Sequence, residues 1–406
     1  MSARPGSATP IYLDYAATSP VREEVVAEML GCLGKDGAFA NPSSTHALGR
    51  AAARIVAQAK VRIAARIGAD PDGLVFTSGA TEANNLALVG VLGASRARRH
   101  LVTTLIEHKS VLDCARALEA KGTEVTYVRC GPDGIVDPDA LERAIRPDTA
   151  LVSVMHVNNE TGMIQPIAEI ASRCRAREIP LHVDAAQAVG KIPVDLRALG
   201  VDLCSLTAHK VGGPKGVGAL WIRPGISIEP MLHGGEQQRG LRPGTLPTHQ
   251  IAGMGKAFEL ADPEVEGPHL ADLRRRLRDA LAEIDDVHVN GDFDRGAPHI
   301  LNVAFPGVDG EALRFALRGL AVSAGSACMA DSPEASHVLS TMGLSDAAAL
   351  ASIRFSFGPT TTADEIDTAA RLIAEAVPRL RRLALGAPAW CRELRSGRAT
   401  GPGGLR

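Results

Sequence analysis

Ser205-Leu206-Thr207-Ala208-His209-Lys210-Val211-Gly212-Gly213-Pro214-Lys215-Gly216 is the stretch around which the chain is organised. The apolar run from Val201 to Leu206 reads as a strand, and it delivers Thr207, His209 and Lys210 to its end. Glycines then turn the chain toward a second strand-like run, Val217–Ile222. A lysine at the end of a buried strand, beside a hydroxyl and an imidazole, has its pKa lowered toward reactivity by desolvation and neighbouring positive character. A surface lysine after a strand is the competing reading, and the rest of the chain decides between them.

Outward from this stretch the chain alternates. An extended segment at Ile11–Tyr15 precedes a helix from about Arg22, and apolar residues at helical spacing predict a second from Gly49 to Ile67. Strand-like and helix-like segments then follow one another: Leu74–Thr77, a helix after Glu82, Leu101–Thr104, Val111–Ala120, Glu124–Val128, Pro138–Ile145, Ala150–Val157, Ile167–Arg177 and Leu181–Val183. Such alternation predicts right-handed strand–helix–strand units and a largely parallel sheet with ligands at the carboxyl ends of its strands. After Thr245 the rhythm changes: a helical region from Thr248 to Ile284, then Val287–Asn290, Ile300–Phe305, a helix near Glu311–Arg318, Ala321–Ala324 and Ser352–Phe357. A last long helix opens with Thr362 and Glu365 as a capping box. Two domains are expected, residues 15–260 and a smaller one formed by 1–14 with 261–390, followed by a disordered Gly/Arg-rich tail at 391–406.

The 406 residues carry a net charge of -2, 45% hydrophobic and 22% charged, which argues against nucleic acid or an anionic membrane as the main partner. No apolar run approaches the ~18 residues of a membrane helix, and Met1–Pro10 lacks the apolar core of a signal peptide, so a cytoplasmic protein is expected. Seven scattered cysteines without a Cys-x-x-Cys pair argue against a disulfide framework and a structural zinc site.

Further candidates lie at strand ends. Ser78-Gly79-Ala80-Thr81 joins a strand to a helix, offering backbone N–H groups and a hydroxyl to a phosphate. Asp184 closes the apolar strand Leu181-His182-Val183, with Gln187 one helical step on; it is either a helix N-cap or the partner of a protonated ring nitrogen. His108, after Leu101–Thr104, could stack on a planar ring or shuttle protons. Phosphate cradle, stacking histidine, ring-nitrogen partner and amine in chain order at Thr81, His108, Asp184 and Lys210 fit pyridoxal 5'-phosphate held by Lys210 as a Schiff base.

With these residues in place the chain resembles the cysteine desulfurases, pyridoxal-phosphate enzymes of fold type I within the class V aminotransferase family. The likeness covers about residues 10–385, through Ile11–Thr18, Asn41-Pro42-Ser43-Ser44, Phe76–Glu82, Glu107-His108-Lys109, Met155–Gly162, Leu181–Gly190, Ala208–Gly216, Arg239–Pro247, Gly325-Ser326-Ala327-Cys328 and Ile353-Arg354-Phe355-Ser356. It implies an α/β fold with a mostly parallel seven-stranded sheet in the large domain and a smaller α/β domain that carries the cysteine loop. By the same resemblance Lys210 is the Schiff-base lysine, Asp184 the pyridinium partner, Gln187 the ligand of the ring oxygen, and His108 a stacking and proton-transfer residue. Gly79, Ala80 and Thr81, with Thr207 and His209, would hold the phosphate, completed by Thr245 from the other subunit of a homodimer. Asn159 and Arg354 would hold the substrate carboxylate, Asn159 being distinguished from Asn158 by motif register alone. Cys328 would be the nucleophile that takes sulfur from L-cysteine as a persulfide, releasing L-alanine, for transfer to a sulfur-acceptor protein.

Some positions depart from the family's pattern. His233-Gly234-Gly235-Glu236 stands where three glycines in a row are common, and Pro243 where serine is usual before Gly244-Thr245. The chain's end does not resemble the scaffold-binding end of the housekeeping iron–sulfur enzymes, whereas the long segment after Cys328 resembles the subgroup with a mobile catalytic loop. A selenocysteine lyase, or another class V enzyme that does not use Cys328, is the rival within the family. A phosphate-loop nucleotide-binding module, prompted by Val211–Gly216, is a poor rival from another class, because that loop lacks the G-x-x-x-x-G-K-[ST] pattern.

Overall fold

The computed structural model describes residues 9–95, 97–324 and 335–385. Its strands, in chain order, are β1 (Ile11–Tyr12), β2 (Leu74–Thr77), β3 (His100–Thr104), β4 (Glu124–Val128), β5 (Thr149–Met155), β6 (Leu181–Asp184), β7 (Leu203–Thr207), β8 (Gly218–Ile222), β9 (His288–Val289), β10 (Ile300–Ala304), β11 (Leu320–Ala321), β12 (Ser323–Ala324) and β13 (Ser352–Ser356). Seven of them form the central sheet in the order β2-β8-β7-β6-β5-β3-β4.

Every residue of β5, β6, β7 and β8 is buried, as continuous apolar runs require in a sheet covered on both faces. Alternation along the strands divides two cores. Val75, Leu101, Leu151, Leu203 and Leu220 point to the face covered by the helices Ala80–Ala94 and Lys109–Glu119. Their neighbours Phe76, Val102, Val152, Cys204 and Trp221 pack on the other face, with Val56, Ile63, Ile251 and Phe258 from the helices Ala47–Arg66 and Thr248–Leu260.

The sheet is parallel except at β8, which runs antiparallel to both β7 and β2. The connection Ala208–Val217 is too short for the dozen or more residues of a parallel crossover, so the chain turns straight back. Two reversals leave β2 parallel to β7, and their carboxyl ends open on the same edge of the sheet.

A second, antiparallel sheet has the order β12-β13-β10-β9. It shares a core of Leu301, Val303, Phe305, Ile353 and Phe355 with Leu270, Leu273, Leu277, Ile366, Ile373 and Val377 from the helices Pro263–Leu281 and Ala363–Leu385. Leu13 joins this core from the chain's beginning, where β1 pairs in parallel with β11. Val338, Leu339, Met342 and Ala349, from two short late helices, pack instead into the core beneath the central sheet.

Two expected elements are divided. The helical region from Thr248 is two helices, Thr248–Leu260 and Pro263–Leu281, because Asp262 caps the second by accepting from the Glu264 N–H at 3.1 Å and Pro263 occupies its first position. Ala321–Ala324 is two strands, β11 on β1 and β12 on β13. The capping box forms as read: the Thr362 N–H donates to Glu365 Oε2 at 2.8 Å and the Glu365 N–H to Thr362 Oγ1 at 3.2 Å. Among the described residues no helix is long and apolar enough to cross a membrane, and no group of three or more His, Cys, Asp or Glu could hold a metal ion.

Candidate active site

The carboxyl ends of β2, β5, β6 and β7, with Ala16–Thr18 across them, enclose a cavity of about 560 Å³. Gly79, Ala80, Thr81, His108, Asn159, Asp184, Gln187, Thr207, His209, Lys210 and Arg354 all line it. Thr245 is exposed on the surface and does not line it. Cys328 and Cys391 lie outside the described residues.

At one end of the cavity the helix Ala80–Ala94 begins on the Ser78-Gly79 turn. Glu82 fixes this turn by accepting from the Ser78 N–H at 2.7 Å and is itself held by Arg242 Nε at 2.8 Å. Gly218 lets the turn lie close: a Cβ there would come within 2.5 Å of the Leu206 carbonyl oxygen and 2.7 Å of Gly79 Cα. Thr207 is buried, yet its hydroxyl has no hydrogen-bond partner among the described residues. A buried hydroxyl is almost always satisfied, so one left over beside a helix N-terminus fits an anionic ligand. His209 is pushed down to about 4 by burial and by Lys210 and Lys215, a shift that negative charge bound at this end would oppose.

In the middle, Lys210 Nζ donates to the Ala16 carbonyl at 2.7 Å, and Gln187 Nε2 donates to the same oxygen at 2.8 Å. Asp184 ends β6 and receives Asn84 Nδ2 on Oδ2 at 2.7 Å and the Ala186 N–H on Oδ1 at 2.9 Å. One oxygen therefore closes a local turn while the carboxylate still faces the cavity. His108 caps the helix Lys109–Glu119, its Nδ1 accepting the Ser110 N–H at 3.1 Å and lying 2.8 Å from Ser110 Oγ. Burial lowers its pKa; Lys210 and His337 add to the shift and Asp184 opposes it.

At the far end Arg354, on β13, is 1% exposed. Its Nη2 bonds Asp14 Oδ1 at 2.8 Å and its Nη1 the Asn159 carbonyl at 2.8 Å, while Nε has no partner among the described residues. Asn158 is spent on the backbone: its Oδ1 accepts the N–H groups of Glu160 and Thr161 at 2.9 Å each, and its Nδ2 donates to the Ile106 carbonyl at 3.0 Å. Asn159 is the member of the pair that lines the cavity.

Residues not selected from the sequence also belong here. Glu107 is fully buried and pushed up to about 8 by desolvation, against hydrogen bonds from the Met155 N–H and Thr104. Glu160 lines the cavity, is raised to about 7 by burial, and accepts the Ser336 hydroxyl. His337 lines it too, bonded through Nε2 to the Glu107 carbonyl at 3.0 Å. A carboxylate beside a histidine in the Glu107-His108-Lys109 motif was the available signal for Glu107; nothing local distinguishes His337. Of the five described cysteines none lines the cavity, and burial pushes the thiols up, Cys114 to about 11 and Cys174 to about 12.

An amine, an anion cradle with an unused hydroxyl, and a carboxylate positioned along one cavity match the aldehyde, phosphate and pyridine nitrogen of pyridoxal phosphate. Comparison with known proteins agrees. The family described as Aminotransferase class-V matches residues 11–368. "Cysteine desulfurase IscS" of Aeromonas salmonicida (strain A449) is 51% identical over 387 residues, 94% of this chain and 95% of that protein. Among solved structures, a "NIFS-LIKE PROTEIN" superposes with a TM-score of 0.86 at 36% identity, over 92% of this chain and 100% of the other. The structure "SspA in complex with cysteine" gives 0.78 at 38% identity, over 87% and 100%. The chain belongs to the class V aminotransferase family and, within it, to the cysteine desulfurases.

Proposed function

We propose that this protein is a pyridoxal-phosphate-dependent cysteine desulfurase that converts L-cysteine to L-alanine and collects the sulfur as a persulfide on Cys328. The observation that carries the reading is the convergence of Lys210, Asp184 and the unpartnered Thr207 hydroxyl on one sheet edge, with Arg354 across the cavity. Pyridoxal phosphate supplies the electron sink when bound. Lys210 holds it covalently and moves the proton of the substrate Cα at Nζ. Asp184 pairs with the ring nitrogen, Gln187 with the ring oxygen, and His108 stacks on the ring and hands on protons. Gly79, Ala80, Thr81, Thr207 and His209 take the phosphate. Arg354 and Asn159 take the substrate carboxylate, which orients the thiol toward the nucleophile. The thiolate of Cys328 would attack the substrate sulfur and keep it as a persulfide, the electron pair of the broken carbon–sulfur bond staying with the carbon fragment that leaves, once protonated, as alanine.

The state of the other cysteines supports Cys328, since those described are away from the cavity and burial raises their pKa, which disfavours the thiolate. The relative solved with cysteine supports the substrate. Two subunits complete the reading. Leu30, Leu33, Phe39, Leu48, Val61 and Leu232 are large apolar side chains left exposed, and Thr245 stands exposed as well, in keeping with a homodimer whose partner receives that threonine at its phosphate. A domain division at 15–260 against 1–14 with 261–390 is supported by Leu13 sharing a core with Leu270, Leu301, Ile353 and Val377, although Val338, Leu339, Met342 and Ala349 of the second part pack into the core of the first. An acceptor protein with its own thiol then takes the persulfide sulfur.

Cys328→Ala tests the assignment. The variant should keep its cofactor and lose cysteine-dependent sulfide and alanine production, whereas retained sulfide release would turn the reading toward a selenocysteine lyase or another class V enzyme. Borohydride reduction of the parent should fix the cofactor's mass on Lys210; the mass on Lys215 would overturn that part.

A further inference from the structure

Behind the cavity wall, one buried amide joins two of the residues that face the cofactor. Asn84, in the helix Ala80–Ala94, is fully buried and does not line the cavity. Its Nδ2 donates to Asp184 Oδ2 at 2.7 Å and to Ser110 Oγ at 2.8 Å, and its Oδ1 has no partner among the described residues. The orientation is forced, since a reversed amide would set two acceptors face to face against the carboxylate. A buried carbonyl oxygen left unpaired is unfavourable, so this amide is held for what its two N–H groups do.

The second bond reaches His108. Ser110 Oγ accepts from Asn84, which directs its own proton to His108 Nδ1, 2.8 Å away. The Ser110 backbone N–H, which can only donate, meets the same nitrogen at 3.1 Å. Nδ1 is therefore an acceptor twice over, and the neutral ring carries its proton on Nε2.

We propose that Asn84 is a positioning residue that couples Asp184 to the tautomer of His108, fixing an acceptor at the first and a ring N–H at Nε2 of the second. The inference rests on the roles given to Asp184 and His108 above. It assigns Ser110 as the link between the two halves. Among the described residues, Asp184 and Asp113 favour the charged form of the His108 ring, and Lys210 and His337 oppose it. A hydroxyl donating to Nδ1 favours the neutral ring, so Ser110→Ala raises the pH at which His108 protonates.

Holoenzyme carrying Asn84→Asp, Asn84→Ala or Ser110→Ala separates the two links. Cofactor affinity and the pH titration of the bound chromophore are read by absorbance without cysteine, and the pH profile of kcat/KM with it. Both Asn84 variants should weaken cofactor binding by roughly tenfold, as lost outer partners typically do, and displace the chromophore titration. Ser110→Ala should leave affinity within about twofold and move only the acid limb of kcat/KM, to higher pH by roughly half a unit. Parent-like affinity and titration in Asn84→Ala would overturn the proposal, as would a Ser110→Ala that loses cofactor as readily as Asn84→Ala. If Asn84→Asp does not fold, the other two variants decide. The titrations without cysteine stand even if the parent releases no sulfur, so a failure of the desulfurase reading remains distinguishable.

Discussion

Arg354 reaches the cavity from β13 with its guanidinium already bonded to Asp14 and to the Asn159 carbonyl, and its Nε unpaired among the described residues. These contacts hold a planar fork in one orientation before a carboxylate arrives. A lysine has no fork and one charge centre, so it cannot hold Asp14, the Asn159 carbonyl and a substrate together. Arg354→Lys should raise KM for L-cysteine by about tenfold or more with a smaller change in kcat, corresponding to the ~1.5–3 kcal/mol of a charged hydrogen bond. Steady-state alanine formation across cysteine concentrations checks it, and an unchanged KM would remove Arg354 from substrate binding. Residues of this kind were legible in the sequence because chemistry placed them at strand ends: Lys210, Asp184, His108 and Thr207 all reach the cavity they were expected to share. Asn84, Glu160 and His337 were not, because their partners Asp184, Ser336 and the Glu107 carbonyl are set by the fold and leave no local pattern.

At the scale of elements, the edge strand β2 shows how the phosphate turn is held. Its Phe76 N–H donates to Gln238 Oε1 at 2.6 Å, and its Phe76 carbonyl accepts from Gln238 Nε2 at 2.8 Å, so one side-chain amide pairs with the edge as a neighbouring strand would. Gln238 and Arg239 have φ of 52° and 64°, in the left-handed region, which bends residues 236–242 against the sheet. Arg242 on Glu82 anchors the same segment three residues beyond Gly79 of the turn, and Gln237 Oε1 accepts the Gly244 N–H at 3.1 Å. Gln238→Ala strips both bonds from Phe76 and should destabilise the protein by about 1–3 kcal/mol while lowering cofactor retention on dialysis. Gln238→Glu keeps the acceptor but cannot donate, so it should fall between. A variant with unchanged melting and unchanged retention would show the strap to be idle. The alternating strands and helices were readable from period and length. Neither the reversed direction of β8 nor the split of 321–324 into two sheets was read from the sequence, the latter because four residues carry too little pattern to reveal two partners.

For the whole molecule, several buried ionisable groups set the pH range of stability. His156 and His182 are held at about 4 by burial, and His299 is held well below its ordinary value by burial and nearby positive charge. A histidine whose folded pKa is depressed contributes stability above its unfolded value near 6.5, which is lost as pH falls toward the folded one. Each such unit is worth about 1.4 kcal/mol. Glu107 and Glu160 work in the opposite sense: raised to about 8 and about 7, they contribute below the unfolded value near 4.5, and the contribution fades as pH rises through the folded values. The apoprotein should therefore melt highest near pH 6–7, lose stability steeply toward pH 4.5 and more gently toward pH 8. Calorimetry across that range checks it, and a melting temperature that rises steadily from pH 6 to 8 would contradict the carboxyl half of the account.

The segment from Leu13 to Arg22 has a bearing on how the molecule is made. Leu13 lies in the second core, Asp14 bonds Arg354 and Ser323, and the Ala16 carbonyl receives Lys210 and Gln187. Thr18 meets His209, Ser19 receives the Gly212 N–H, and Arg22 pairs with Glu266. Their partners are translated later, by as much as 340 positions in the pair Asp14–Arg354. The floor of the cavity waits, unmatched, while the central sheet forms, and it closes only when β13 has been synthesised. Arg354 is thereby the late arrival: a nascent chain able to build its main sheet and to bring Thr81, Asp184, Thr207 and Lys210 together still lacks the far wall of the cavity.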